Sequence, residues 1–270
     1  MPHERVEGIG SFQRGRDDLV QGLRQWRLWG MMGWQDIRQR YQRSVIGPFW
    51  LTLSICIMIG ALGLLNYTLW GVDPYQSLPY ITTGVVAWFL ISVIINESCV
   101  AFTGSQDVIL QIKLPYSVYL YRIIWRNLIV FFHNLIVFVL ISLVFLIPPT
   151  WDLLILPVSL ALISLNAMWV ALILSVLSTR FRDVQQLVSS VMLVFFFLTP
   201  IFWDPRILPQ RPVIVDANPF YHFLELVRAP LLGEMPSTLT WAVVVGLTVV
   251  GWMVGFTFFQ RFRSRIPYWL

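Results

Sequence analysis

The chain contains several apolar runs long enough to cross a bilayer, and these limit its fold more than any other feature. A helix of about 20 residues spans the hydrocarbon core. Six stretches of the 270-residue sequence meet that length: Gly47–Trp70, Pro79–Phe102, Ser117–Ile147, Trp151–Ser178, Val184–Trp203 and Leu239–Phe259. In lipid the backbone must satisfy its own hydrogen bonds, which leaves helices or a closed barrel. The runs are continuous rather than alternating, so a barrel is disfavoured. The third and fourth are long enough to tilt or to extend into the interface. Composition agrees. Hydrophobic residues make up 57% and charged residues 12%, against about a quarter charged in a soluble domain.

Flanking charge sets the expected orientation. Eight arginines precede the first run. Lys113, Arg122 and Arg126 follow the second, Arg180 and Arg182 follow the fourth, and Arg261, Arg263 and Arg265 close the chain. The opposite side holds only Arg206, Arg211 and Arg228, a division of sixteen against three. Both termini are therefore expected in the cytoplasm, and six spans satisfy that parity. The residues before the first run carry no apolar core of the length a cleavable signal needs.

Two segments outside the runs stand out. Asp18–Arg43 includes LVQGLRQWRLWGMMGWQDIRQRY, in which Leu19, Leu23, Trp26 and Trp34 share a flank while Arg24, Arg27, Arg38 and Arg40 lie elsewhere around the helix. It reads either as a helix lying at the membrane interface or as a basic anchor that only sets topology. Gly30 and Gly33 are expected to divide it. Asp204–Ser237 is too long and apolar for an ordinary loop. Its core, NPFYHFLELVRAPLLGEMP, has helix length, but Glu225 and Arg228 would sit in lipid if it spanned. A re-entrant hairpin on the outer side fits better.

The chemistry available to the chain is narrow. A P-loop needs a lysine after a glycine-rich turn. The single lysine, Lys113, sits in QIKLP with no glycine before it, so ATP hydrolysis by that route is excluded. No catalytic constellation and no metal site is expected, because His3, His133 and His222 are scattered. Asp17-Asp18 reads as a solvated pair in a charged tail. Glu97, Arg122 and Arg126 are close enough to span ends to snorkel. The one polar pair in mid-span, His133-Asn134, serves either helix–helix hydrogen bonding or a proton relay. Cys56 and Cys99 read as free buried thiols. Gly60 and Gly63, and Gly251 and Gly255, have the spacing of close helix contacts, within one chain or between two.

Aromatic residues are the remaining signal. Trp50, Trp70, Trp125, Trp151, Trp203 and Trp241 lie near span ends, as an interfacial belt predicts. Phe195-Phe196-Phe197, Phe202-Trp203, Phe220-Tyr221 and Phe223 exceed that need. They read either as belt and core packing or as a wall of faces that stack on sugar rings without fixing register and would let a glycan slide. From the residues alone, the chain is a six-span protein without energy-converting chemistry. Asp18–Arg43, Thr103–Tyr116 and Thr179–Asp183 protrude to receive a partner.

Four blocks carry a family resemblance. WQDIRQRYQRSVIGPFW resembles the N-terminal signature of the membrane subunit of type-2 ABC exporters of polysaccharide, the O-antigen exporter family. RFRDVQQLVSSVMLVFFFLTPIFW is similar to its link and fifth span, NPFYHFLELVRAPLLGE to its outer re-entrant block, and RSRIPYWL to its C-terminus. The resemblance covers nearly the whole chain in order. It implies an all-α polytopic protein with a tail and interface helix over residues 1–46 and a six-span domain over 47–270. The latter includes an outer hairpin at 204–237 and a cytoplasmic end at 260–270.

The resemblance further implies a homodimer bound to two copies of an ATP-binding cassette subunit. That subunit would carry the ATP and Mg; this chain would carry no cofactor. The cargo would be a lipid-linked polysaccharide, typically on undecaprenyl, leaving across the bacterial inner membrane; nucleic acid plays no part. Gln106, Asp107 and Lys113, with Arg180, Phe181, Arg182 and Asp183, would couple to the ATPase. Trp34, Arg38, Arg40 and Arg43 would lie where the glycan-lipid is admitted, though these arginines equally set topology. Trp50, Tyr67, Phe196, Phe202, Trp203, Phe220 and Tyr221 would line the channel or gate. Capsular polysaccharide and teichoic acid exporters look similar at this level. An ATP-independent channel and a membrane glycosyl- or acyltransferase are the alternatives from other classes.

Overall fold

The structure, a computed structural model, describes residues 3–42, 47, 49–205 and 213–270. Among these the chain is helix and turn, with no strand. Two helices precede the apolar runs: α1 (His3–Arg24) and α2 (Trp26–Tyr41). Then come α3 (Phe49–Trp70), α4 (Pro74–Cys99), a short α5 (Gln106–Gln111) and α6 (Ser117–Val144). The chain continues through α7 (Leu156–Arg180), α8 (Val184–Leu198), the single turn α9 (Val213–Asp216) and α10 (Pro219–Leu231). It closes with α11 (Thr238–Phe262) and α12 (Ile266–Trp269).

Among the described residues, five segments are long and apolar enough to cross a membrane: Thr52–Trp70, Pro74–Cys99, Ser117–Val144, Trp151–Arg180 and Thr238–Trp269. The fifth expected span folds differently. Its helix, α8, has 15 residues and rises about 22 Å at 1.5 Å per residue, short of a core of about 30 Å. Thr199-Pro200 ends it, since proline supplies no N–H and disfavours helix at the residue before it.

The core is built around α4, whose Ile81, Val85, Val86, Ala87, Trp88, Leu90, Ile91 and Ile94 are all buried. Helices α3, α6, α7, α8 and α10 pack around it. The closest pairing is between α7 and α11. There Gly251 and Gly255 lie against Trp169, and a Cβ at Gly251 would collide with the indole ring. The indole is fixed, because its Nε1 donates to Asn166 Oδ1 at 2.9 Å and Asn166 Nδ2 donates to Thr248 Oγ1 at 2.7 Å. That glycine pair thus serves contact within one chain. In α3, by contrast, Gly60 faces open space. Both α3 and α8 leave most of their apolar surface uncovered, including Leu53, Ile57 and Leu64 on the first and Leu187, Val194 and Phe197 on the second.

The tail breaks at Gln25, not at Gly30 or Gly33. Gly33 instead permits close approach, with the Trp125 side chain and the Arg122 carbonyl just beyond where a Cβ would sit. Helix α2 therefore lies flat along the first turns of α6, and α1 bridges α6 and α11.

Candidate functional site

One end of the bundle gathers the cations. It comprises α1, α2, the segment around α5, the start of α6, and the ends of α4, α7 and α11. Asp36 of α2 accepts from Arg122 Nε at 2.7 Å and from Arg126 Nη1 at 2.7 Å, with a further close contact from Arg122 Nη2. Glu97, at the end of α4, accepts from Arg126 Nη2 and Asn127 Nδ2, each at 2.5 Å, and from Arg40 Nη2 at 3.2 Å. Glu97, Arg122 and Arg126 thus do not snorkel singly. They form a chain of pairs joining α2, α4 and α6, and each charge is satisfied by a neighbour in a partly dry setting.

A second junction ties the two ends of the sequence to the start of α6. Asp18 is buried, against the expectation of a solvated pair; Asp17 alone is exposed. Its carboxylate accepts from the backbone N–H of Tyr116 at 3.1 Å and of Ser117 at 3.0 Å. It thereby caps the N-terminus of α6 from another helix, where the free N–H groups and the helix dipole favour an anion. Arg263 Nε donates to the same carboxylate at 2.8 Å. Gly22 makes room for this approach, since a Cβ there would meet Ser117 Oγ. Burial pushes the Tyr116 phenol above its usual range; Arg263 pulls it the other way and Asp18 adds to the rise.

The expected coupling residues fall on this end. Asp107 and Lys113 are exposed and Gln106 is half-buried, on or beside α5. The same short helix and its exit expose Val108, Leu110 and Ile112, apolar residues outside every span. Attention to charge missed these residues, although the apolar letters of QDVILQIKLP, outside every long run, carry their signal. In the link after α7, Arg182 and Asp183 are exposed, and Phe181 is 57% exposed. Arg180 instead turns onto rings, 5.6 Å from the centroid of Phe181 and 5.8 Å from that of Trp269.

Of the residues expected to admit the glycan-lipid, Arg40 pairs with Glu97, and Arg38 is exposed on α2. Trp34 lines a groove of about 510 Å³ with Trp26, Arg27, Trp29 and Trp125. Arg43 lies outside the described residues, as do Arg206 and Arg211 of the outer side.

The opposite end is organised by Thr199–Phe202, where the chain leaves α8 after a last helical bond from Thr199 N–H to Phe195 O at 2.9 Å. Four side chains from three helices take up its polar groups. Asn66 of α3 donates to Phe202 O at 2.9 Å, and Tyr80 of α4 to Pro200 O at 3.3 Å. Arg228 of α10 donates to Pro200 O at 2.7 Å and Ile201 O at 3.2 Å. Asn218, just before α10, donates to Thr199 Oγ1 at 2.9 Å. Arg228, counted from sequence as a loop cation, is 2% exposed; it stacks on Tyr80 at 3.8 Å and pairs with Glu225 at 2.9 Å. Irregular backbone inside a bilayer persists only under such cover.

The aromatic residues divide into two groups. Trp50 and Tyr67 are exposed on α3. Phe196, Phe202 and Phe220 are half-buried in a cluster centred on Trp88, which lies 5.9 Å from Phe196 and 5.6 Å from Phe220. Tyr221 is buried, and Trp203 donates to Phe197 O at 3.4 Å. Sequence reading missed Trp88, because a tryptophan inside a continuous apolar run has no local mark. His133 lies edge-on to Phe49 at 5.8 Å and has no carboxylate partner among the described residues. His222 is bonded to Thr240 and the Asp216 carbonyl. The described residues hold no cluster able to bind a metal ion.

Comparison with known proteins adds two findings. The family model described as "ABC-2 type transporter" matches residues 27–232. The chain is also 24% identical over 219 residues to the O-antigen export system permease protein RfbA of Myxococcus xanthus, covering 78% of this chain and 83% of that protein.

Proposed function

The chain belongs to the ABC-2 type transporter family, and from that premise we propose that it forms the conduit of an ATP-driven exporter of lipid-linked polysaccharide. A multi-pass membrane subunit of this family is a transporter component and not an enzyme; ATP is hydrolysed on a separate cassette subunit. The cargo assignment draws support from the O-antigen export permease it is similar to. In this reading the cargo leaves the cytoplasm across the bacterial inner membrane on an undecaprenyl-type carrier. The end bearing α1, α2 and α5 faces the cytoplasm with both termini, and α8 continued by Thr199–Phe202 makes the fifth of six spans. The gate would be the outer re-entrant hairpin expected over 204–237, of which α10 is a part.

The observation that carries the reading is the set of exposed apolar residues Val108, Leu110 and Ile112 on and just after a short helix beyond the spans. Apolar side chains in that position are covered when a partner docks. Two ATP-binding subunits, carrying ATP and Mg, would seat on it and on Arg182-Asp183. The uncovered faces of α3 and α8 would meet their copies across a homodimer seam, with Gly60 allowing close approach. Closure of the motor subunits would then press α5. The ion pairs of Asp36, Glu97, Arg122 and Arg126 would carry that displacement as a unit into α4 and α6. A motor shifts such an equilibrium only through contacts that differ between its two states.

The test is reconstitution. Inverted vesicles holding this chain and an ATP-binding cassette subunit should take up an undecaprenyl-linked polysaccharide with ATP, and neither component should do so alone. Uptake by this chain without nucleotide would overturn the proposal.

A further inference from the structure

At the end of the bundle that gathers the cations, α7, α11 and α12 flank a half-open apolar cavity of about 270 Å³ with exposed Arg180 and Arg265 at its rim. Its walls are Val176, Leu177, Phe181, Phe258, Phe262 and Trp269. The surroundings of the two rim arginines contrast with those of four other arginines at this end. Arg40, Arg122, Arg126 and Arg263 each hold a carboxylate. Among the described residues neither Arg180 nor Arg265 has an acidic partner; each is turned onto aromatic rings instead.

We propose that this cavity binds the phosphate of an anionic phospholipid in the adjoining leaflet, with Arg180 and Arg265 as its two clamps. The chemistry matches on both sides. Two like charges on one cavity repel until an anion sits between them, and a guanidinium fork meets phosphate oxygens in pairs. The apolar walls suit the glycerol end and first methylenes of an acyl chain, which a free ion would leave uncovered. Trp269 is placed as an interfacial tryptophan that the lipid would touch, and basic pockets between spans are where anionic headgroups settle. The inference needs only that the chain lies in a membrane, so it stands or falls separately from the cargo assignment. It also divides the link after α7: Arg180 serves the lipid, leaving Arg182 and Asp183 for the motor.

The probe is brominated phosphatidylglycerol in phosphatidylcholine vesicles holding the transporter. Trp269 is read as the difference in quenching between wild type and Trp269→Phe. Brominated phosphatidylglycerol should quench Trp269 at least threefold more than brominated phosphatidylcholine at equal mole fraction, and Arg180→Gln with Arg265→Gln should remove the preference. Because the double variant could fail to insert, Arg265→Gln alone is the second arm, with the preference at least halved. Equal quenching by the two lipids, or a preference unchanged in either variant, overturns the proposal. Displacement by millimolar inorganic phosphate also overturns it, as does loss of the signal when the ATP-binding subunit docks, since the occupant would then be an ion or a protein.

Discussion

Arg263, just beyond α11, reaches the buried carboxylate of Asp18 in α1 across 245 positions of sequence. Because that carboxylate also caps α6, one acid holds three helices together. Removing a single partner of such a pair leaves an uncompensated buried charge or an uncapped helix, costing about 3 kcal/mol. Asp18→Asn and Arg263→Gln should each lower the thermal midpoint of the purified protein by several degrees. The double variant should lose clearly less than the sum, since its two halves share one interaction. Strict additivity would show that the pair is not coupled.

Arg228 should matter more than any other outer cation. Arg228→Gln removes the donors to Pro200 and Ile201 and strands Glu225, at a cost of about 3 to 5 kcal/mol. Amide exchange over residues 199–203 should accelerate at least tenfold. Arg228→Lys should recover only part, because one ammonium cannot reproduce the fork or the stack on Tyr80. Unchanged exchange in Arg228→Gln would remove the latch role.

Gly251 and Gly60 make opposite predictions. Gly251→Ala drives a methyl into the fixed Trp169 ring and should cost about 1 to 3 kcal/mol, read as a lower unfolding temperature. Gly60 faces open space, so Gly60→Leu should leave the monomer's stability intact. On the dimer reading it should weaken self-association at least tenfold by light scattering in detergent. A dimer of normal strength would exclude α3 from the seam.

At the motor face, Leu110→Asp with Ile112→Asp should abolish co-purification of the ATP-binding subunit while membrane insertion stays normal. Replacing Arg182 and Asp183 should retain binding but lower transport per ATP hydrolysed at least fivefold. Full retention of the partner in the first variant would relocate the docking surface.

The spans were legible because lipid imposes a length and a continuity that any 20-residue window reveals. The end of the fifth helix was not legible: hydropathy registers Val184–Trp203 as one run, while Pro200 decides where the helix stops. The Gly251 and Gly255 spacing was visible, but its partner Trp169 was not, since contact between spans has no local signature. Asp18 was misjudged for the same reason. A charge beside other charges looks solvated until a distant residue is known to cover it. The apolar residues of α5 and its exit were present in the letters but hidden by attention to arginine and aspartate.

The shortness of α8 bears on how such a molecule stays sealed at rest. About a quarter of the insulating thickness along that path is left to a few residues of bare chain, stitched by Asn66, Tyr80, Arg228 and Asn218. A stopper of that kind can swing aside by exchanging hydrogen bonds with passing hydroxyl groups, whereas a continuous helix would have to be unwound. On the proposed reading, ion leakage and the release of sugar would both be governed at that one spot.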